Sequence, residues 1–477
     1  AAGACRYDRL VIMNHNTDTI AAIATGPGEA GISIVRISGP RSLEIADGVF
    51  RCAGDPPSRR AGGAFVYGHV MSPAMSAGSA PGVIDEVILL IFRAPRSYTR
   101  EDVVEIHGHG GAISAQRILH RVINAGARVA EAGEFTKRAF LSGRVDLTQA
   151  EAVLDLVRAT SHRAACAAFD QLDGSLKHWC TMTYNYIVSA SVDVESVLDF
   201  PDDEMPSPVL KLTAEKLTRI RDDLTQKLAT WGEGHALREG VLTVISGKPN
   251  VGKSTLFNAM LGSDRAIVTR HPGTTRDTIE ETLRLGEFVL RLVDTAGLRD
   301  SPCEIEAEGI RRARSLLQKA DLHIHVLDAS MPLDMADKTE MNQLPPGHTV
   351  IVLNKIDLGA AIQPRNITEH PVITTVSRTN EGVNNLKATL IQLLGQYKHG
   401  PVHAVISERH RQLISGAVVQ VSEALDLLTT GREDSLVLED IAVDLLLVVR
   451  GIGQRLSDLC VTQTVLHSQL TRRESMS

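Results

Sequence analysis

One nonapeptide limits the folds open to this chain more than any other stretch: Gly247-Lys248-Pro249-Asn250-Val251-Gly252-Lys253-Ser254-Thr255. A short apolar, β-branched run, Val241-Leu242-Thr243-Val244-Ile245, precedes it and reads as a buried strand. Behind it, Thr255-Leu256-Phe257-Asn258-Ala259-Met260-Leu261 starts a helix. Strand, glycine loop and helix form the context that the G-x-x-x-x-G-K-[ST] pattern needs. The glycines let backbone N–H groups turn toward phosphate oxygens, and the helix N-terminus adds partial positive charge. In this reading Lys253 reaches the β- and γ-phosphates and Ser254 ligates Mg²⁺.

The surrounding region alternates strand and helix. Strands are expected at 241–246, 279–285, 288–293, 322–327, 349–353 and 372–376, and helices at 253–261, 306–318 and 381–395. Such alternation gives a mainly parallel sheet with helices on both faces, which binds ligands at the carboxyl ends of its strands. Four further motifs follow the loop in order. In Gly273-Thr274-Thr275-Arg276-Asp277, Thr275 completes a Mg²⁺ shell and senses the γ-phosphate. Asp294-Thr295-Ala296-Gly297 ends a strand: the aspartate holds Mg²⁺ through water, and the Gly297 N–H meets the γ-phosphate. Asn354-Lys355-Ile356-Asp357 ends another strand, and Asp357 accepts two hydrogen bonds that guanine offers and adenine does not. Ser377-Arg378-Thr379 backs up the base. Five pieces in this order point to GTP.

Hydrolysis needs a different device from that of Ras-type GTPases, which orient water with a glutamine after this aspartate motif. Here the position holds Leu298. Asn250, within the phosphate loop, is a candidate ligand for a monovalent cation beside the phosphates. Glu306 is the candidate for orienting water.

Before this region, an α+β domain is expected. Residues 19–24 and 31–38 read as two strands joined by a glycine turn, 64–70 and 86–92 as a second pair, and 102–106 as a strand ending at His107-Gly108-His109. A helix follows at 112–124. The two histidines read as incidental rather than as a metal site, since no cysteine lies nearby. From Asp146 on the pattern is helical. Thr148-Gln149-Ala150-Glu151 reads as a capping box, with Val153, Val157, Ala164, Ala168 and Leu172 on one face behind it. Helix continues to Leu198, and another is expected at 209–231. After Gly400-Pro401 helices resume, with an apolar stripe of Leu413, Ile414, Ala417, Val421, Ala424, Leu425 and Leu428, then an apolar helix over 436–449. The two helical blocks are expected to pack together, with the nucleotide domain inserted between them. The fold class is thus multidomain α/β. Its boundaries are 17–136 for the N-terminal domain, 137–235 and 397–477 for the helical domain, and 236–396 for the nucleotide domain.

Composition adds exclusions. A net charge of −7 over 477 residues does not advertise nucleic-acid binding. No apolar run approaches a membrane span, and the start lacks the apolar core of a secretory signal. Six scattered cysteines without a C-x-x-C pair fit reduced thiols, hence a cytoplasmic protein.

With these residues in view, the chain resembles the MnmE (TrmE) family of tRNA-modification GTPases along almost its full length. Beyond the nucleotide motifs the resemblance rests on Gly108-His109-Gly110-Gly111, Gly133-Glu134-Phe135-Thr136-Lys137-Arg138-Ala139-Phe140-Leu141, Asp146-Leu147-Thr148-Gln149-Ala150-Glu151-Ala152 and Asp199-Phe200-Pro201-Asp202. It implies an N-terminal folate-binding domain that dimerises, a helical domain and an inserted P-loop GTPase domain. It implies a potassium-dependent GTPase that acts as a homodimer. With a flavoprotein, MnmG, in a heterotetramer, the family forms carboxymethylaminomethyl or aminomethyl groups at C5 of the wobble uridine of certain tRNAs. Carried over by position, Asn250, Thr269, His271 and Thr274 surround potassium, and Ser254 and Thr275 magnesium. The segment Thr269-Arg270-His271-Pro272 joins the GTP site, and Glu306 matches the catalytic glutamate. Arg36, Glu105 and Arg144 fall where the family binds 5-formyltetrahydrofolate or a related folate, with arginine replacing lysine at the last position. One departure stands out. The family ends in Phe-Cys-(Ile/Val)-Gly-Lys, whereas this chain ends Thr471-Arg472-Arg473-Glu474-Ser475-Met476-Ser477. The alternatives are a GTP-switched RNA-binding or ribosome-assembly factor, which the weakly basic flanks disfavour, and a GTPase scaffold without modification activity.

Overall fold

A computed structural model describes residues 18–26, 28–73, 82–199, 206–262, 280–294, 320–364, 367, 370–397, 407–429, 440–443, 445 and 448. Two compact units divide at Ala150/Glu151.

The first unit is built on a seven-stranded sheet in the order β3-β4-β5-β6-β2-β1-β7. Its strands are β1 (Ile20–Ile23), β2 (Ile32–Ser38), β3 (Phe50–Cys52), β4 (Phe65–Met71), β5 (Val83–Phe92), β6 (Val103–His109) and β7 (Arg128–Val129). Neighbours are antiparallel except β1 and β7. Helices α1 (Ser42–Val49) and α2 (Ala112–Asn124) contribute Ile45, Ala46, Val49, Ile118 and Val122 to a core shared with Val35, Ile37, Val104 and Ile106. A third helix, α3, spans Glu134–Leu141. Strand alternation then decides what the other face carries. With Val35 and Ile37 turned to the core, Arg36 points away, and its register partner on β6 is Glu105.

The β6 strand runs past His107 to His109, three residues beyond the expected range of 102–106. Both histidines have carboxylate partners: His107 Nε2 lies 3.2 Å from Glu105 Oε2, and His109 Nδ1 lies 2.7 Å from Asp85 Oδ1.

Helix α4 (Leu147–Arg158) is capped differently from the expectation. Asp146, not Thr148, takes the N–H of Gln149 on its Oδ1 at 2.9 Å, and the Gln149 side chain accepts the Asp146 N–H at 3.1 Å. Thr148 Oγ1 donates to the same carboxylate. Glu151 is thereby released for other partners. The expected single apolar face also fails, because the helix breaks at Ala159–Ser161. Ser161 caps a new helix, α5 (His162–Asp173), accepting the Ala164 N–H. Val157 is left 79% exposed while Ala164 and Ala168 are buried.

The second unit continues with α6 (Ser175–Asp199), α7 (Pro206–Ala229) and α8 (Trp231–Glu239). The helix expected over 209–231 is α7, and past Thr230 a further helix, α8, is absent from the expectation. Near the other end, α12 (Glu408–Thr429) places Ile414, Ala417, Val421, Ala424 and Leu425 against Ile187, Leu217 and Leu224. Ile441, Leu445 and Val448 join the same core. Helices from both sides of the central sheet therefore share one interior.

That central sheet runs β13-β12-β11-β8-β10-β9. Its members are β8 (Val241–Ser246), β9 (Glu280–Leu285), β10 (Phe288–Asp294), β11 (Leu322–Asp328), β12 (Thr349–Asn354) and β13 (Val372–Thr375). All neighbours are parallel except β9 and β10. Both faces are covered, as a parallel sheet requires. Helices α9 (Lys253–Leu261) and α11 (Val383–Leu393) cover one, packing on Ile324, Val326, Val350 and Val352. On the other face α10 (Met335–Asn342), absent from the expectation, packs Met341 with Leu327, Ile351 and Leu353. The helix expected over 306–318 lies outside the described residues. Among the described residues no helix is long and apolar enough to cross a membrane.

Candidate functional site

The phosphate loop leaves β8 at Ser246 and enters α9 at Lys253. Two of its glycines are dictated by space. A Cβ on Gly247, which has φ +132°, would stand 2.2 Å from the Val326 carbonyl oxygen; one on Gly252, φ +101°, would stand 2.2 Å from Asn354 Nδ2. Asn250 takes φ 64°, a left-handed conformation that asparagine tolerates better than most residues.

The loop borders a cavity of about 580 Å³. Asn250, Gly252, Lys253, Ser254 and Thr255 line it from one side, and Asn354, Lys355, Asp357, Ser377 and Arg378 from the other. Lys253 is 6% exposed, with Nζ donating to the Lys248 carbonyl at 2.6 Å. Ser254 Oγ donates to Asp294 Oδ2 at 2.7 Å, which brings together two oxygens proposed from sequence for Mg²⁺. Hard oxygen donors of this kind suit that ion.

Asn354 is a strut between the two sides. Its Nδ2 donates to the Val251 carbonyl at 2.8 Å, and its Oδ1 accepts from Ser377 N at 3.1 Å and Ser377 Oγ at 2.8 Å. Lys355 adds a second tie, with Nζ donating to the Asn250 carbonyl at 2.6 Å and to Asp328 Oδ2 at 2.7 Å. Asp357 and Arg378 are exposed on the cavity rim, and Ile356 and Thr379 flank them in the same loops. Thr269, Arg270, His271, Pro272, Gly273, Thr274, Thr275, Thr295, Ala296, Gly297 and Glu306 lie outside the described residues.

Three supports escaped the sequence reading. Asp328 closes β11 and holds Lys355; burial raises its pKa, but Lys355 and Ser330 outweigh this and keep it below the usual carboxylate range. An aspartate at the carboxyl end of a parallel strand was the available signal. Lys248 pairs with Asp334 and, at 2.8 Å, with Asp337, the two residues of the α10 capping box. His325, 2% exposed, sits behind the loop with Nδ1 3.0 Å from Ser246 Oγ. Burial pushes its pKa down to about 4, so it is neutral at physiological pH.

In the first unit, Arg36, Glu105 and Arg144 line one cavity of about 560 Å³. Arg36 Nε lies 2.7 Å from Glu105 Oε1. The Arg36 and Arg144 guanidiniums lie 5.5 and 4.8 Å from the Tyr98 ring centroid, and Arg36 also lies 5.5 Å from that of Phe135. Arginine, planar and able to stack, suits this setting as lysine would not.

Residues 19–144 match the family model described as GTP-binding protein TrmE N-terminus, and residues 147–466 match that of the MnmE helical domain. The tRNA modification GTPase MnmE of Latilactobacillus sakei is 40% identical over 432 residues, covering 90% of this chain and 92% of that protein. That of Geobacter sulfurreducens is 40% identical over 446 residues, covering 92% and 94%. That of Bacillus subtilis is 37% identical over 449 residues, covering 92% and 96%. A phosphate loop tied to a guanine-type base loop, and likeness of this extent, lead to one conclusion: the chain is a GTPase and belongs to the MnmE family of tRNA modification GTPases.

Proposed function

We propose that this protein is a potassium-dependent GTPase that works as a homodimer. With a flavoprotein partner of the MnmG type in a heterotetramer, it takes part in forming carboxymethylaminomethyl or aminomethyl groups at C5 of the wobble uridine of certain tRNAs. The observation that carries this reading is the single cavity closed by the phosphate loop and the Asn354–Asp357 loop, in a chain resembling tRNA modification GTPases over 90% of its length. On this reading residues 17–136 form the folate-binding and dimerising domain, 137–235 and 397–477 the helical domain, and 236–396 the GTPase domain. The setting is the cytoplasm.

The residues have separate tasks. Lys253 binds the β- and γ-phosphates, and Asp357 reads guanine. Ser254 and Thr275 hold magnesium, with Asp294 behind them. Asn250, Thr269, His271 and Thr274 hold potassium, and Glu306 orients the attacking water. The two cations supply neutralisation of the charge that spreads over the phosphate oxygens during transfer. Of the potassium set, Asn250 lines the described cavity and its amide oxygen is a donor of the right kind. Folate would lie in the Arg36–Glu105–Arg144 cavity, whose cationic and aromatic walls suit an anionic, flat ligand.

Potassium is expected to accelerate GTP hydrolysis at least about tenfold over sodium, and Asn250→Ala to abolish the difference. Equal wild-type rates in the two salts would refute the cation's role. Glu306→Ala is expected to lower kcat about a hundredfold, the lower end for a lost acid–base or water-orienting group, while GTP affinity holds. If the variant instead loses GTP binding, Glu306 is structural. Wobble-uridine mass analysis after deletion of the gene tests the modification itself; unchanged nucleosides would count against it.

A further inference from the structure

The cavity in the first unit carries more positive charge than a folate with a single glutamate can use. Arg36 is already committed to Glu105, and Glu105 is also met by His107. Arg96, Arg100 and Arg144 line the same cavity, and among the described residues none of the three has a carboxylate partner. Neutral groups aim two of them. Arg144 donates to the Tyr98 carbonyl at 3.0 Å and covers the Tyr98 ring, and Arg100 donates to the Ser142 carbonyl at 3.0 Å. Arg100 also holds φ 61°, a conformation rare outside glycine and asparagine, which persists where the surroundings fix it. Uncompensated guanidiniums on one concave wall focus positive potential and favour a polyanion over a singly charged ligand. Each is a planar fork matched to a carboxylate.

Counting carboxylates names the ligand. A folate bearing one glutamate has two, and every further γ-linked glutamate adds one. The third guanidinium therefore finds a partner only from the diglutamyl form on. We propose that this cavity selects poly-γ-glutamyl folates, with the tail's successive carboxylates spread over Arg144, Arg100 and Arg96. The inference rests on the folate reading above and deepens it. Arg96 is then the residue that sets tail-length specificity, while Tyr98 meets the ring system in either form.

Calorimetric titration of the full-length protein with monoglutamyl and triglutamyl 5-formyltetrahydrofolate tests this. The triglutamyl form is expected to bind about tenfold tighter at low salt, a modest gain because the two rim arginines are exposed. In Arg96→Gln the two forms should bind alike, at the wild-type monoglutamyl affinity. Equal affinities of the two forms for the wild type would overturn the inference and leave the folate reading standing. So would loss of monoglutamyl binding in Arg96→Gln, since Arg96 would then serve the first glutamate. Failure of both forms to bind the wild type would remove the folate reading and this inference with it.

Discussion

Replacing Asn354 with alanine is expected to weaken GDP and GTP binding by about a hundredfold or more, although Asn354 is not the residue that reads the base. Its side chain is 3% exposed and bonds both sides of the nucleotide cavity: the Val251 carbonyl, the Ser377 N–H and hydroxyl, and, at 3.2 Å, the Thr375 hydroxyl. Alanine would orphan the Val251 carbonyl and the Ser377 N–H, at about 1–3 kcal/mol for each unsatisfied buried group. A loss of about 3–4 kcal/mol corresponds to a factor of about 10²–10³ in Kd. Displacement of a fluorescent guanine nucleotide measures the effect. Asp357→Asn is the comparator, since it should alter the base preferred, toward xanthosine triphosphate, with the strut intact. An unchanged Kd in Asn354→Ala would mean that the two loops hold their places without it.

Asn354 also illustrates what the sequence made legible. The tetrapeptide located the residue and its site, because a strand end and a four-residue motif are local features. Its work as a strut was not legible, because Val251 and Ser377 become its neighbours only when β8, β12 and β13 align in one sheet. The same divide runs through the fold. Strands of the central sheet and helices α9 and α2 were read to within a residue or two, since unbroken apolar runs and clear periodicity are local. The short helices α1, α8 and α10 were not, because a helix of two or three turns carries too little periodicity to stand out. The start of α4 shows a subtler limit. Two overlapping patterns, Asp146-Leu147-Thr148-Gln149 and Thr148-Gln149-Ala150-Glu151, each spell a capping box. Local chemistry cannot rank them. What favours the first is that Glu151 has partners 258 residues away.

Those partners make Glu151 a clamp between helical segments on either side of the inserted sheet. Arg409 Nε donates to Glu151 Oε1 at 2.8 Å, and His410 Nε2, on a fully buried side chain, lies 2.9 Å from Oε2. Burial pushes the Glu151 pKa up, but the contacts with His410 and Arg409 outweigh it and hold it at about 2, against an ordinary value of 4.5. A gap of about 2.5 pKa units is worth about 3 kcal/mol of stability. Because the folded-state pKa is the lower one, the contribution is complete above about pH 4.5 and fades as the pH falls through the folded value near 2. Glu151→Ala should therefore lower the stability of the helical core by about 3 kcal/mol at pH 7, leaving Arg409 without its counter-charge and the buried His410 without the carboxylate beside it. The readout is built in. Both tryptophans of the chain, Trp179 and Trp231, pack against that core, so urea unfolding followed by their fluorescence reports on it directly. Wild type and variant should differ most at neutral pH, with the gap narrowing below about pH 4.5 and closing only toward pH 2. An equal separation at pH 7 and pH 3 would show that the cost comes from lost packing alone, with the charge pairing contributing nothing.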